Sequence, residues 1–114
     1  MPVQEFLEDL QKRDPKAATK CQSYTALLMK QGLSLLSKHQ YVDKVADRSD
    51  LYELRPEYRN VEYRLYFTIL GSSVTFVMVH AIKKHGRKPP KRDLDLAEKR
   101  AREIQQEEAK RDRP

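Results

Sequence analysis

The 114-residue chain has a single cysteine, three glycines and no long apolar run. Cys21 alone cannot form an intrachain disulfide, so nothing calls for an oxidising compartment, and the expected location is the cytoplasm. The longest apolar stretch is interrupted by Gly71, Ser72 and Ser73, which leave two strand-length pieces far short of a bilayer span, and no membrane association is expected. Met1-Pro2-Val3-Gln4-Glu5 leads directly into an amphipathic pattern, without the basic start and apolar run of a secretory signal, so no export is expected. There is no Cys-x-x-Cys pair, no His-Glu-x-x-His helix and no glycine-rich loop ending in Lys-Ser/Thr. No cofactor and no structural or catalytic metal are expected, with substrate-associated magnesium left open.

What is abundant is positive charge, unevenly spread. The net charge is +6. Lys and Arg outnumber Asp and Glu by 7 to 3 over residues 51 to 90, against 8 to 7 on either side. Lys83, Lys84, Arg87, Lys88, Lys91 and Arg92 fall within ten residues that contain no acid. Such a density creates a local field attractive to phosphates, although a solubilising loop reads the same way.

A chain of this length suits one domain, residues 1–114, with a core that needs neither metal nor disulfide. Val3, Phe6, Leu7 and Leu10 follow helical spacing from a Pro2 start, and Asp14-Pro15 breaks that helix and starts another. The second runs from about Lys16 to Gly32, which either caps it or lies within a longer helix reaching Lys38. Residues 40 to 50 read as a polar connection. Three strand-like segments follow, Leu51 to Arg55, Glu62 to Leu70 and Ser73 to Ile82, the last two joined as a hairpin through Gly71-Ser72. Pro89-Pro90 then precedes a helix from about Lys91 with Leu94, Ala97, Ala101 and Ile104 along one face, charged elsewhere through pairs such as Asp95–Lys99 and Glu98–Arg102, and fraying beyond Glu107. The expected class is α+β, a small antiparallel sheet packed by two N-terminal helices and one C-terminal helix.

This order resembles the RelE/HigB-like toxins of bacterial and phage toxin-antitoxin systems. The resemblance runs through Pro2-Val3-Gln4-Glu5-Phe6-Leu7, Leu51-Tyr52-Glu53-Leu54-Arg55 and Tyr63-Arg64-Leu65-Tyr66-Phe67. It is strongest at Val79-His80-Ala81-Ile82-Lys83-Lys84 and closes with Pro90-Lys91-Arg92-Asp93-Leu94. Two differences stand out: most relatives begin with a strand, and many HigB-like relatives carry threonines where this chain has Gly86-Arg87-Lys88-Pro89. The resemblance implies a RelE-like fold and a toxin that cleaves messenger RNA on the ribosome, inhibits translation and is silenced by a helix-turn-helix antitoxin in an oligomeric complex.

A metal-independent ribonuclease must activate a 2′-hydroxyl, hold the phosphate in line, neutralise the transition state and protonate the leaving oxygen. Counting outward from a Gly71-Ser72 turn places Arg64 opposite Val79 and Tyr66 opposite Val77, with Arg64, Tyr66, Ala81 and Lys83 on one face. A similar count pairs Arg55 with Glu62 and Glu53 with Arg64. Leu65, Phe67, Ile69, Val74, Phe76 and Met78 then form the helix-packed side, which also takes His80, beside Tyr63.

Arg55 and Arg64 lead as phosphate ligands because a guanidinium offers two donors to phosphate oxygens; the alternative is a cross-strand ion pair with Glu53 or Glu62. Lys83 is the better-placed lysine for the transition state, while Lys84 contacts RNA or stays in solvent. His85, in the basic loop with Arg87 and Lys88, suits a general base, and Tyr66 suits base stacking or proton transfer. For His85 the plain reading is a loop histidine, and for Tyr66 a half-buried strand residue. Cys21 reads as a packing residue. Arg64→Ala is expected to lower cleavage and leave the fold intact. The competing function is a non-enzymatic inhibitor on the same fold, a ParE-like gyrase poison or a nucleic-acid-binding module.

Overall fold

The computed structural model describes residues 2–71, 75–84 and 88–111. Helix α1 spans Pro2–Arg13 and α2 spans Pro15–Gln31. Between them Asp14 caps α2, its Oδ1 accepting from the Ala17 amide at 3.2 Å, with Pro15 at the first helical position, where no amide hydrogen is missed. Gly32 ends α2 with φ +60°, its N–H donating to the Leu28 carbonyl, and a 3₁₀ helix carries Gly32–Ser37 onward. Both sequence readings of Gly32 are therefore partly met: it stops the α-helix, and the chain keeps coiling.

Five strands follow: β1 Val42–Lys44, β2 Tyr52–Leu54, β3 Glu57–Tyr58, β4 Val61–Leu70 and β5 Thr75–Lys84. The architecture is α+β, as expected, but β1 and β3 lie where the sequence suggested connection. Every pairing is antiparallel, with β1 on β2, β2 and β3 both on β4, and β5 on β4. The expected Gly71-Ser72 turn and the face assigned to Val74 fall on residues 72–74, which lie outside those described. Helix α3, Lys91–Arg111, completes the chain and continues past Glu107.

Helices lie on both sides of the sheet. On one side Val3, Leu10, Ala17, Ala18, Cys21 and Leu28 of α1 and α2 pack on Tyr63, Leu65, Phe67 and Ala81. On the other, Ala97 and Ala101 of α3, helped by Leu94 and Ile104, pack on Tyr66, Val79 and Ile82. The apolar stripe expected on α3 is thus the one it buries. Asp95, however, pairs with Lys91 and Arg48.

The β4–β5 register departs from the simple count. Leu70 faces Thr75 rather than Ser73, a two-residue displacement that puts Phe67 opposite Met78 and preserves the face, and a bulge then places one extra residue, Val79, in β5, so that Tyr66 faces His80 and Arg64 faces Ile82. The Val79 carbonyl accepts from Arg100 Nη1 of α3 at 3.0 Å. Beyond the bulge every side chain changes sides: Ala81 and Lys83 turn toward the α1–α2 layer, and Ile82 and Lys84 share the face of Arg64 and Tyr66. His80 accordingly leaves the side expected for it and stacks on Tyr66, ring centroids 6.3 Å apart and planes 18° apart. Between β2 and β4, Glu53 faces Tyr66 rather than Arg64, a two-residue slip that preserves the face.

Candidate functional site

The cations expected at the site meet carboxylates. Arg64 is 3% exposed, with Nη1 donating to the Tyr63 carbonyl at 3.0 Å, Nη2 3.3 Å from Glu62 Oε1 and Nε 3.7 Å from Glu53 Oε2. Arg55, half-buried at the end of β2, has Nε 3.9 Å from Glu53 Oε1 and Nη1 3.9 Å from Asp43 Oδ2. Lys84 Nζ lies 3.3 Å from Glu62 Oε2. The ion-pair alternative therefore describes this state for both arginines.

A cleft of about 400 Å³ opens beside this network, between the β1–β2 edge and the start of α3; Asp43, Lys44, Glu53, Lys88, Pro89 and Leu94 line it. Its wall is tied down by Arg48, in the β1–β2 loop, whose Nη1 lies 2.5 Å from Asp95 Oδ1 and 3.1 Å from Glu98 Oε1 on α3. The Ser49 amide adds a bond to Glu98 Oε2 at 2.9 Å. A larger groove of about 680 Å³ lies across α1 and Met78, but its surface is mostly apolar and neither Arg55 nor Arg64 lines it. The smaller cleft is the one bordered by the carboxylates of this network.

Glu53 is the carboxylate of that cleft whose acidity burial alters. Burial raises its carboxyl above the ordinary glutamate range, and the opposing charges of Arg64 and Arg55 only partly restore it. A carboxylate of raised basicity, flanked by two guanidinium groups, can take a proton from a hydroxyl while the cations hold an anion.

Tyr66 sits elsewhere than expected. It is fully buried beneath α3 and its hydroxyl has no hydrogen-bond partner among the described residues. Burial, reinforced by the Glu53 charge, pushes the phenol well above its usual range. It can neither stack on a base nor deliver a proton near neutrality. Lys83, turned over by the bulge, lines a small pocket with Phe6, Leu10 and Tyr63, away from Arg64. Lys84, expected to contact RNA or stay in solvent, takes the place foreseen for Lys83, and Lys88 is exposed at the cleft mouth. His85 and Arg87 lie outside the described residues.

His80 makes two bonds that define its proton. Arg100 Nη1 lies 3.0 Å from Nδ1 and Asp93 Oδ1 lies 2.8 Å from Nε2. Arginine only donates, so Nδ1 accepts and Nε2 carries the hydrogen given to Asp93. Both ring nitrogens are occupied, and the ring fastens α3 to β5.

Sequence reasoning missed Glu53 and Asp43 as site residues. The β-branched Val42 and Val45 around Asp43-Lys44 were the available signal for β1. Nothing in the sequence signals the burial that sets Glu53 apart. Among the described residues no cluster of His, Cys, Asp or Glu is arranged to hold a metal ion, and no helix is long and apolar enough to cross a membrane.

The family model described as Phage derived protein Gp49-like (DUF891) matches residues 8–102. That span includes every strand and the part of α3 that closes the cleft. No curated protein and no solved structure gives a significant match.

Proposed function

Since the chain belongs to the phage-derived Gp49-like family, whose members are toxin-like proteins of toxin-antitoxin systems, we propose that it is a toxin that cleaves messenger RNA on the ribosome, in the manner of the RelE/HigB-like toxins it resembles. The observation that carries this reading is Glu53, a carboxylate of raised basicity held between Arg55 and Arg64 at the edge of a cleft.

In the proposed reaction Glu53 takes the proton of a ribose 2′-hydroxyl, and that oxygen attacks the adjacent phosphorus as the bond to the 5′-oxygen breaks. The products are a 2′,3′-cyclic phosphate and a 5′-hydroxyl. Arg55 and Lys88 hold the phosphate and offset the charge growing on its oxygens, with Arg64 behind them. The leaving oxygen takes its proton from water or from His85, the titratable group the loop sequence offers, with Arg87 as a further phosphate ligand. The antitoxin partner is expected to carry a helix-turn-helix and to silence the toxin by covering this surface.

The test adds purified protein to ribosomes translating a defined message and maps the RNA ends. Discrete new 5′-hydroxyl ends, absent with Glu53→Gln, are expected. The pairing of Arg55, Arg64 and Lys84 with carboxylates favours a second reading, a non-enzymatic inhibitor. Intact message together with stabilised gyrase–DNA cleavage would establish that reading, and neither effect would leave a binding module.

A further inference from the structure

Glu62 holds two cations at once. Its Oε1 lies 3.3 Å from Arg64 Nη2 and its Oε2 3.3 Å from Lys84 Nζ, so each oxygen serves a different positive group. The exposures run opposite to a usual surface pair: the Glu62 side chain is 39% exposed, Arg64 3% and Lys84 11%. The acid is therefore the outer partner, lying over two cations that are otherwise hidden.

Arg64 keeps other anchors without it, the Tyr63 carbonyl and Glu53, and the backbone of Lys84 is held beside the same spot by the β4–β5 register. Glu62 is less secure. Its partner across the β3–β4 pairing is Glu57, and like charges directly opposite disfavour each other. Two convergent cations beneath a displaceable carboxylate form a site for a tetrahedral oxyanion, since two oxygens of a phosphodiester present a similar bite.

We propose that Arg64 and Lys84 bind a backbone phosphate of the RNA, and that Glu62 occupies this phosphate position in the free chain and is expelled when RNA arrives. The proposal rests on reading the neighbouring cleft as an RNA site. It makes Glu62 an internal competitor that weakens RNA binding until a strand arrives with enough further contacts to displace it. Burial pushes the Glu62 carboxyl upward, but its bonds to Arg64 and Lys84 outweigh this and hold it below the usual carboxylate range, so the competitor is ionised at neutral pH.

The test uses a 2′-O-methylated RNA oligonucleotide, which cannot be cleaved, titrated by fluorescence anisotropy without ribosomes. Relative to the native chain, Glu62→Gln is expected to bind about tenfold tighter, the gain of one charge-assisted contact no longer contested. The plot of log affinity against log salt should steepen by about 0.7, one further phosphate neutralised. Glu57→Gln removes the same charge next door without uncovering the pair, and should change affinity less than about twofold. Adding Lys84→Met to Glu62→Gln should cancel the gain.

Equal affinities for Glu62→Gln and Glu57→Gln, or a gain that survives Lys84→Met, overturn the proposal. Should Glu62→Gln lose its cooperative melt, recovery of that melt in inorganic phosphate supports the site, and no recovery counts against it. Ribosomal cleavage by the native chain is scored separately. Cleavage without the Glu62 effect removes this inference alone, whereas the Glu62 effect without cleavage keeps the phosphate site and removes the endonuclease.

Discussion

Glu53, Arg64 and Tyr66 show how burial resets the chemistry of single side chains. Because burial raises the Glu53 carboxyl, its base form accumulates only as pH climbs above the ordinary glutamate range. Cleavage should therefore rise with pH through a limb displaced to that side. Glu53→Gln should lower cleavage by about a hundredfold or more and abolish the limb, measured as single-turnover rates against pH. Arg64→Ala should not leave the fold untouched, contrary to the sequence expectation, since it removes a buried cation from between Glu53 and Glu62. A loss of about 3 kcal/mol by urea titration is expected, so Arg64→Lys is the better probe of function. Tyr66→Phe should do the opposite. It discards a buried hydroxyl that has no partner among the described residues, so a gain of about 1 kcal/mol in the same titration is expected, with cleavage unchanged.

At the scale of elements, local signals in the sequence proved reliable where the backbone itself imposes them. Asp14-Pro15 and Gly32 mark helix ends by capping and by a left-handed φ, and both do so in the structure. Gly32→Ala meets no neighbouring atom, so its cost is backbone strain alone: about 1–3 kcal/mol, read from the thermal melt. The hairpin from Glu62 was legible as two strands, and its apolar face through Leu65, Phe67 and Ile69 was assigned correctly. What escaped was the phase of β5, because the bulge depends on a tertiary partner, Arg100, twenty-one residues away from Val79. The same error exchanged Lys83 with Lys84 and displaced His80. The short strands β1 and β3 escaped for another reason: segments of three and two residues carry too little alternation to stand out from a loop.

In the whole molecule, α3 is joined to the sheet by polar ties at each end of its apolar stripe. Arg48 binds Asp95 and Glu98 near the cleft, and farther along Gln105 Nε2 donates to Thr68 Oγ1 at 3.0 Å and to the Ile69 carbonyl at 2.8 Å. The family match stops at residue 102, yet Ile104 and Gln105 lie beyond it. Deleting residues 103–114 should uncover Thr68 and lower stability by about 2 kcal/mol, measured by chemical denaturation. The Asp95 carboxyl is held low chiefly by Lys91 and then Arg48, and that of Glu98 by the Ser49 amide and then Arg48. Carboxyls depressed on folding contribute stability above their unfolded values and lose it as pH falls through the depressed ones. The cleft wall should therefore loosen on the acid side of the ordinary carboxylate range, and Arg48→Ala should flatten that part of the stability–pH curve.

The extra residue in β5 turns one strand into two messages written in different frames. Up to Met78 it is read against the first two helices in step with Phe67; past Val79 the same alternation addresses the opposite layer. Removing Val79 would take out the one residue of β5 that has no place opposite β4, and would leave Lys83 opposite Tyr63 and Lys84 opposite Glu62. One deleted codon would thus straighten the strand without sending any remaining side chain to the other layer.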